Sequence, residues 1–280
     1  MKAVETIKQI RLAIARQKSK SQRIGFVPTM GALHEGHLSL IRLAKKHSDF
    51  VVVSIFVNPT QFGPKEDFKK YPRNLKKDAA LCQTAGADLI FAPVPEEIYP
   101  QGFSTYVNVE HLTQGLCGAS RPGHFQGVAT VVSKLFNIVQ PDAAVFGQKD
   151  AQQLAVIRQM TRDLDLPVKI IGAPIVRERD GLAMSSRNRY LSLEERQQAV
   201  ALSRALNMAQ RLVKSGKRES GIVKRELIKV LKHYAPLGKI DYLEIVDNAT
   251  LKPVKVIQKN TLLALAVKFP SARLIDNIVV

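Results

Sequence analysis

The segment IGFVPTMGALHEGHLSL, residues 24–40, decides the fold. An apolar run over 24–27 has strand composition, Pro28-Thr29-Met30-Gly31 forms a turn, and from His37 onward the apolar residues take up helical spacing to about residue 47. A strand that feeds a loop and then a helix is the building unit of a parallel sheet covered by helices. The order recurs along the chain. Further strands are expected at 50–57, 89–91 and 143–146, and helices at 4–17, 75–85, 128–139 and 151–162.

The expected class is therefore α/β, a Rossmann-like parallel sheet with helices on both faces, over residues 1–176. From residue 177 the pattern changes. Ser192 and Glu195 are spaced as a capping box ahead of a helix reaching about residue 214, and strands are expected at 242–246, 262–267 and 274–279. A smaller C-terminal α+β domain, 177–280, is expected to close over the site, with the boundary in 177–192. In an open parallel sheet, ligands bind beyond the carboxyl ends of the strands, so the loops after residues 27, 57 and 146 are the places where chemistry should sit.

Composition narrows the function classes. A chain of 280 residues with 45% hydrophobic and 24% charged residues has the makeup of a folded protein. Its longest apolar runs, 50–57 and 262–267, fall far short of the roughly 20 residues of a spanning helix. Residues 1–20 mix charges among Ile7, Ile10 and Ile14, which reads as an amphipathic helix and not a signal peptide, so a cytoplasmic enzyme is expected. Cys82 and Cys117 are too far apart for a CxxC site and too few for a disulfide framework. The net charge of +18 raises anionic partners, but 20 Lys and Arg against 10 acidic residues over 177–280, and 22 against 14 over 1–176, spread the excess along the chain.

Four segments carry candidate chemistry. In Met30-Gly31-Ala32-Leu33-His34-Glu35-Gly36-His37 a strand end runs into a helix start, where backbone N–H groups and the helix dipole favour phosphate and glycines let its oxygens approach. His34 and His37 lie three apart, so the HExxH zinc spacing fails. Met184-Ser185-Ser186-Arg187 offers hydroxyls and a planar guanidinium suited to phosphate. Gly147-Gln148-Lys149-Asp150 supplies a mobile ammonium after the strand at 143–146, with Asp150 as a helix cap and Gln153 one turn on. Asn58-Pro59-Thr60-Gln61 places amides at a strand end, which suits a small polyol acid. Read singly, each segment also fits a blander role: surface histidines, a solvated turn, a solvated lysine, a Pro-Gly turn with Asn as its local hydrogen bonder.

The HxGH of His34–His37 resembles the signature of the nucleotidyl-transferring α/β superfamily, and MSSR resembles a shortened KMSKS loop. With the surrounding VNPTQFGP, DFKKYPR and RPGHFQGVATVVSKLFNIVQPDAAVFGQKDAQQ, and in this order, the chain resembles the pantothenate synthetase family over essentially its whole length, least distinctively over 195–280. The resemblance implies an AMP-forming ligase that condenses pantoate with β-alanine through a pantoyl adenylate, using ATP and Mg²⁺, in a homodimer. It implies ATP contacts at Met30–His37, Gly147, Gln148, Lys149, Asp150, Val176, Met184, Ser185, Ser186 and Arg187. Pantoate falls to Gln61, Gln153 and Asn58, with Gln61 also near β-alanine. His37, His34, Lys149 and Arg187 become the catalytic set. Magnesium rides on the phosphates and its protein ligands are left open, Asp78 being one weak candidate.

Two rivals remain at this level. A nucleotidylyltransferase would release pyrophosphate but never AMP, and has no obvious use for the paired amides. An RNA-binding module finds no Trp, 6% aromatic residues and no basic stretch interleaved with aromatics, so nucleic acid is not expected as the main partner.

Overall fold

The computed structural model describes every residue except Lys65. By contact the chain groups into two compact units, 1–110 with 121–148 and 156–174, and 111–120 with 149–155 and 175–280.

In the first unit, β1 (Ala3–Val4), β2 (Ile24–Thr29), β3 (Phe50–Ile55), β4 (Leu89–Phe91), β5 (Ala143–Gly147) and β6 (Lys169–Ala173) form one parallel sheet in the order β1-β4-β3-β2-β5-β6. The connecting helices in chain order are α1 (Ile7–Lys18), α2 (Glu35–His47), α3 (Leu75–Thr84), α4 (Pro95–Ile98), α5 (Cys117–Ser120), α6 (His124–Val139) and α7 (Ala151–Asp163), of which α5 and the first turn of α7 group with the second unit. Helices cover both faces, as the sequence pattern requires. On one, Val51, Val53 and Ile90 meet Leu38, Ile41 and Ala44 of α2 and Cys82 of α3. On the other, Phe136 of α6 packs edge-on against Phe26 of β2 and Phe146 of β5. The strand order reverses between β2 and β5, so the loops leaving these two strands diverge at the switch point.

Boundaries depart from the periodicity where tertiary contacts intervene. β2 continues through Pro28 to Thr29, in register with Ser54 and Ile55 of β3. The proline is tolerated because β5 pairs with β2 only at Gly25 and Phe26, so no ladder bond is lost on that side. The helix expected from 37 begins at Glu35, because the His34 side chain caps it, and the one expected from 128 begins at His124, after Gly123 at φ 78°. Conversely, the strand expected over 50–57 stops at Ile55. Short β1 and the edge strand β6 had no signal strong enough to mark them.

The second unit holds an antiparallel sheet of β7 (Lys239–Asp247), β8 (Thr261–Lys268) and β9 (Arg273–Val279) in that order. The helix expected over 192–214 is two, α8 (Leu193–Ala199) and α9 (Ala201–Lys214), and α10 (Ser220–Tyr234) follows. Ser192 does cap α8 with Glu195 in the reciprocal box. Leu202, Leu206, Val223, Leu227 and Leu231 cover one face of the sheet through Leu263, Leu265 and Val267. The other face buries Leu262 and Ala264 against Leu116 and Ala151. Burial on both sides is why β8 reads as the unbroken apolar run TLLALAV.

One close approach in the first unit is sequence-specific. A Cβ on Gly127 of α6 would stand 2.4 Å from the carbonyl oxygen of Thr60 and 2.7 Å from the nitrogen of Gln61. Gly127→Ala is expected to destabilise the fold by about 1–3 kcal/mol through overpacking. Gly221→Ala in α10, whose new methyl meets only side-chain atoms at 3.5 Å or more, is expected to hold or raise the melting temperature, by up to about 1 kcal/mol of helix propensity. Thermal unfolding of the two variants checks this, and equal shifts would refute the close-packing argument.

Candidate functional site

The loop leaving β2 carries the first cluster. Thr29 Oγ1 donates to the Ser54 carbonyl at 2.8 Å and accepts the Gly31 N–H at 3.2 Å. Gly31 at φ 81° and Ala32 at φ 52° both adopt left-handed backbone. For a residue with a Cβ this is strained, and the compensation is visible: Asp78, reaching over from α3 and only 2% exposed, accepts the Ala32 N–H at 3.0 Å and the Leu33 N–H at 2.9 Å.

These bonds revise the expectation that main-chain N–H groups of this loop face phosphate. Those of Gly31, Ala32 and Leu33 are turned to Thr29 and Asp78, and those of His37 and Leu38 to the His34 carbonyl. The imidazoles of the segment are themselves fixed by main-chain bonds. The Gly36 N–H donates to His34 Nδ1 at 3.1 Å, and the His34 N–H to His37 Nδ1 at 3.4 Å, with the ring centroids 4.2 Å apart. An Nδ1 that accepts a backbone N–H holds no proton, so in each neutral ring the proton sits on Nε2. Glu35 is exposed and its carboxylate pairs with Arg42, two turns further along the same face of α2.

Past β3, Gln61 is fixed by a chain of amides and hydroxyls. Tyr99 Oη donates to Asn58 Oδ1 at 2.8 Å, and Thr60 Oγ1 also bonds that oxygen at 3.0 Å. Asn58 Nδ2 can then only donate, to Gln61 Oε1 at 3.0 Å and to the Gly127 carbonyl at 3.1 Å. The Gln61 amide is thereby oriented with Nε2 donating to Met30 Sδ at 3.0 Å. Asn58, 1% exposed, thus has its polar atoms engaged within the protein and aims the Gln61 amide. Burial raises the Tyr99 hydroxyl above its ordinary pKa, against the opposing effect of its bonds to Thr60 and Asn58, so it stays a neutral donor. The main chain at Gln61 is held as well. His124 Nδ1 lies 2.8 Å from the Gln61 carbonyl, and Arg121 bonds His124 Nε2 at 2.9 Å and Glu66 at 2.6 and 2.7 Å. Arginine only donates, so His124 Nε2 accepts and Nδ1–H donates. A cavity of ≈ 260 Å³ beside this loop is bounded in part by Met30, Gly31, Phe68, Leu75 and Asp78. Its walls include neither histidine nor Gln61, so the chemistry is marked by the donors and not by the concavity.

After β5, Gln148–Asp150 form a single 3-10 turn ahead of α7, of which Lys149 and Asp150 group with the second unit. Lys149 is partly covered, and burial lowers its ammonium below the ordinary lysine pKa, with Arg187 acting in the same direction and Asp150 and Asp276 opposing. Gln153 is partly buried on α7, and its amide has no hydrogen-bond partner among the described residues. Val176 and Met184 are brought together by a hairpin: the Met184 N–H donates to the Val176 carbonyl at 3.0 Å, Arg177 bridges Ala183, and Gly181 turns at φ 94°. Ser185 caps the next turn by accepting the Arg187 N–H at 3.3 Å, Ser186 is buried, and Asn188 ties that turn back to Glu178 and to the Ala183 carbonyl. The first unit thus gathers Met30–His37 with Asn58 and Gln61, and the second gathers Lys149, Asp150, Gln153, Val176 and Met184–Arg187.

Several residues that hold these groups were not among the expected site residues: Tyr99, His124, Gln152, Asp276 and Asn277. Gln152 ties the segment at 111–117 to α7, accepting the Cys117 N–H and donating to the Leu112 and Gly115 carbonyls. For Asp276 and Asn277 a signal exists, since two polar residues interrupt an otherwise apolar strand, LIDNIV.

The family model described as pantoate-beta-alanine ligase matches residues 2–279. A pantothenate synthetase of Heliobacterium modesticaldum is 57% identical over 280 residues, 100% of this chain and 99% of that one. The crystal structure of pantothenate synthetase from Thermus thermophilus superposes with a TM-score of 0.95 at 50% identity, covering 99% of each chain. That of a pantoate-beta-alanine ligase from Francisella tularensis, complexed with beta-gamma ATP and beta-alanine, gives 0.81 at 34% identity over 100% and 97%.

The Asp78 contacts generate a sharp expectation. In Asp78→Ala the Ala32 and Leu33 N–H groups lose their acceptors inside the protein, at a cost of about 1–3 kcal/mol each. The expected outcome is a lowered melting temperature together with fast hydrogen exchange at those two amides. Retained protection at Ala32 and Leu33 would mean that something else holds the turn.

Proposed function

The chain belongs to the pantoate–β-alanine ligase family and condenses pantoate with β-alanine at the expense of ATP, and we propose that it does so through a pantoyl adenylate, with named residues in the following roles. The pantoate carboxylate attacks the α-phosphorus, pyrophosphate leaves, and the β-alanine amine then displaces AMP. The main support is the imidazole pair: both Nδ1 atoms are held by backbone N–H groups, so His34 and His37 present Nε2–H donors of fixed direction. Pre-placed donors of this kind stabilise charge that develops on a departing phosphate without reorganising. This favours charge stabilisation by His37 over proton transfer from it, because a donor on Nε2 serves while Nδ1 stays bonded.

In this reading Lys149 and Arg187 meet the phosphates, with Met30–His37, Gly147, Gln148, Asp150, Val176, Met184, Ser185 and Ser186 around the nucleotide. Gln61 and Gln153 hold pantoate. Support for Gln61 comes from its oriented Nε2, and for Gln153 from an amide that has no hydrogen-bond partner among the described residues. Magnesium enters with ATP. Among the described residues no three His, Cys, Asp or Glu gather into a metal cluster, and both Asp78 oxygens accept backbone N–H groups, which fits an ion held mainly by phosphates and water. Bound there, it would neutralise charge on the triphosphate. No helix among the described residues is long and apolar enough to cross a membrane. A cytoplasmic homodimer is the assembly that the family resemblance favours, and light scattering of the purified protein tests it.

The decisive assay supplies ATP, Mg²⁺ and pantoate without β-alanine. Label exchange between pyrophosphate and ATP is expected, requiring pantoate, and AMP with pantothenate should appear once β-alanine is added. Formation of ADP and phosphate would overturn the adenylate route.

Single-turnover experiments then separate the steps. His37→Ala and Lys149→Ala are expected to slow adenylate formation by roughly 10²–10³-fold, the range for loss of one well-placed donor. Attack of β-alanine on supplied pantoyl adenylate, which involves no triphosphate, should slow by about tenfold or less. Gln61→Ala should instead raise the pantoate Michaelis constant while leaving ATP binding nearly unchanged. Equal losses in both half-reactions would assign the histidine and lysine to holding the whole site.

A further inference from the structure

The last strand of the chain carries two buried polar residues that the reaction as described does not use. Asp276 and Asn277 are 2% and 3% exposed. Successive residues of a strand point to opposite faces, and the register bears this out: Asp276 stands opposite Leu265 on the face covered by α9 and α10, and Asn277 opposite Ala264 on the face against Ala151. On its face, Asp276 accepts Arg177 Nη1 at 2.7 Å and Nη2 at 3.0 Å, while the same Nη1 also bonds the Gly181 carbonyl inside the hairpin that leads to Met184. On the other, Asn277 Nδ2 donates to the Lys149 carbonyl at 2.9 Å. Asp276 Oδ1 further accepts the Asn277 N–H at 2.8 Å, which locks the two residues to each other.

We propose that Asp276 and Asn277 are positioning residues for adenylate formation, one strand setting the backbone of Lys149 and the hairpin before Met184–Arg187 in a single frame. A buried ion pair is a poor source of stability, since apolar residues of similar volume often serve as well or better. Its presence in an otherwise apolar strand is accounted for by what it holds. Asp276 also acts on Lys149 through space. The charged or titratable groups facing that ammonium are Asp150 on its own turn, Arg187 from the turn after the hairpin, Cys117 from α5 and Asp276 from β9, with Arg177 behind Asp276. The Asp276 carboxylate favours the protonated lysine and so opposes the lowering caused by burial and by Arg187. Burial raises the carboxyl group of Asp276 itself, and Arg177 counters that rise.

The inference rests on the proposed role of Lys149, and the test separates the two. Asn277→Ala removes the backbone anchor and changes no charge. It should slow adenylate formation from ATP and pantoate about tenfold or more, as small misplacements of a catalytic group do, with the alkaline limb of the pH profile unmoved. Asp276→Asn removes the charge and leaves Arg177 unneutralised, so Lys149 loses its proton more readily and the alkaline limb of kcat/KM for adenylation moves to lower pH. In both variants, attack of β-alanine on supplied adenylate should stay within about twofold of wild type, the range left by a change that spares this step. If Asp276→Asn does not fold, Asn277→Ala, which leaves the ion pair intact, decides alone. Equal losses in the two half-reactions, or wild-type adenylation with an unmoved limb, would overturn the positioning role. Should Lys149→Ala leave adenylation unimpaired, the role of the lysine falls first. A damaging Lys149→Ala beside harmless β9 variants would sink only the inference drawn from the strand.

Discussion

The carboxylate of Asp78 is the constraint from which the first cluster follows. Two consecutive residues, Gly31 and Ala32, hold left-handed backbone at the end of a central strand. One of them has a Cβ, and such a turn persists only when its surroundings over-determine it. Asp78 does so by accepting two successive N–H groups from the neighbouring helix. With the turn held, the chain reaches His34 in extended conformation, the His34 ring caps α2, and the His37 ring closes back onto the His34 N–H. A Cβ on Gly31 would lie 3.0 Å from Asp78 Oδ2, so glycine and carboxylate are matched to each other.

The same logic governs the amides. A glutamine on a loop has two-fold ambiguity and considerable freedom. Here a tyrosine hydroxyl, an asparagine and a helix carbonyl fix its direction in sequence, Tyr99 to Asn58 to Gln61 with Gly127 alongside. Buried networks of this sort are costly when half satisfied and specific when complete. The absence of a side chain at Gly127 is what allows α6 to come near enough to take part.

The second unit solves a related problem with a strand in place of a loop. Lys149 and the hairpin 176–184 are far apart in sequence from β9, yet β9 bonds to both, from opposite faces. Lys149 thereby groups with the C-terminal sheet although it closely follows β5 of the parallel one. Gln153, whose amide has no hydrogen-bond partner among the described residues, lies one helical turn beyond it on α7, in the same short segment.

Much of this was legible from the residues. The strand–loop–helix alternation is a local property of apolar spacing, and it identified the parallel sheet and the loop at 30–37, while the capping box at Ser192 and Glu195 marked a helix start that the structure contains. The nature of the chemistry was legible too, because HxGH, MSSR and the amide-bearing turn, each open to a blander role when read singly, occur together and in the order that carries the family resemblance. What the residues alone could not fix was which donors point outward. The main-chain N–H groups of Ala32 and Leu33 look available until Asp78, some 45 residues on, is seen to accept them, and the Asn58 amide looks available until Tyr99 and Gln61 are seen to use it. Polar atoms are committed by partners distant in the chain, and no periodicity records such pairings. Sequence therefore determined the class of fold and the inventory of polar groups, while only the tertiary structure decided which of those groups are bonded to one another within the protein, because a hydrogen bond depends on distance and direction in space and not on separation along the chain.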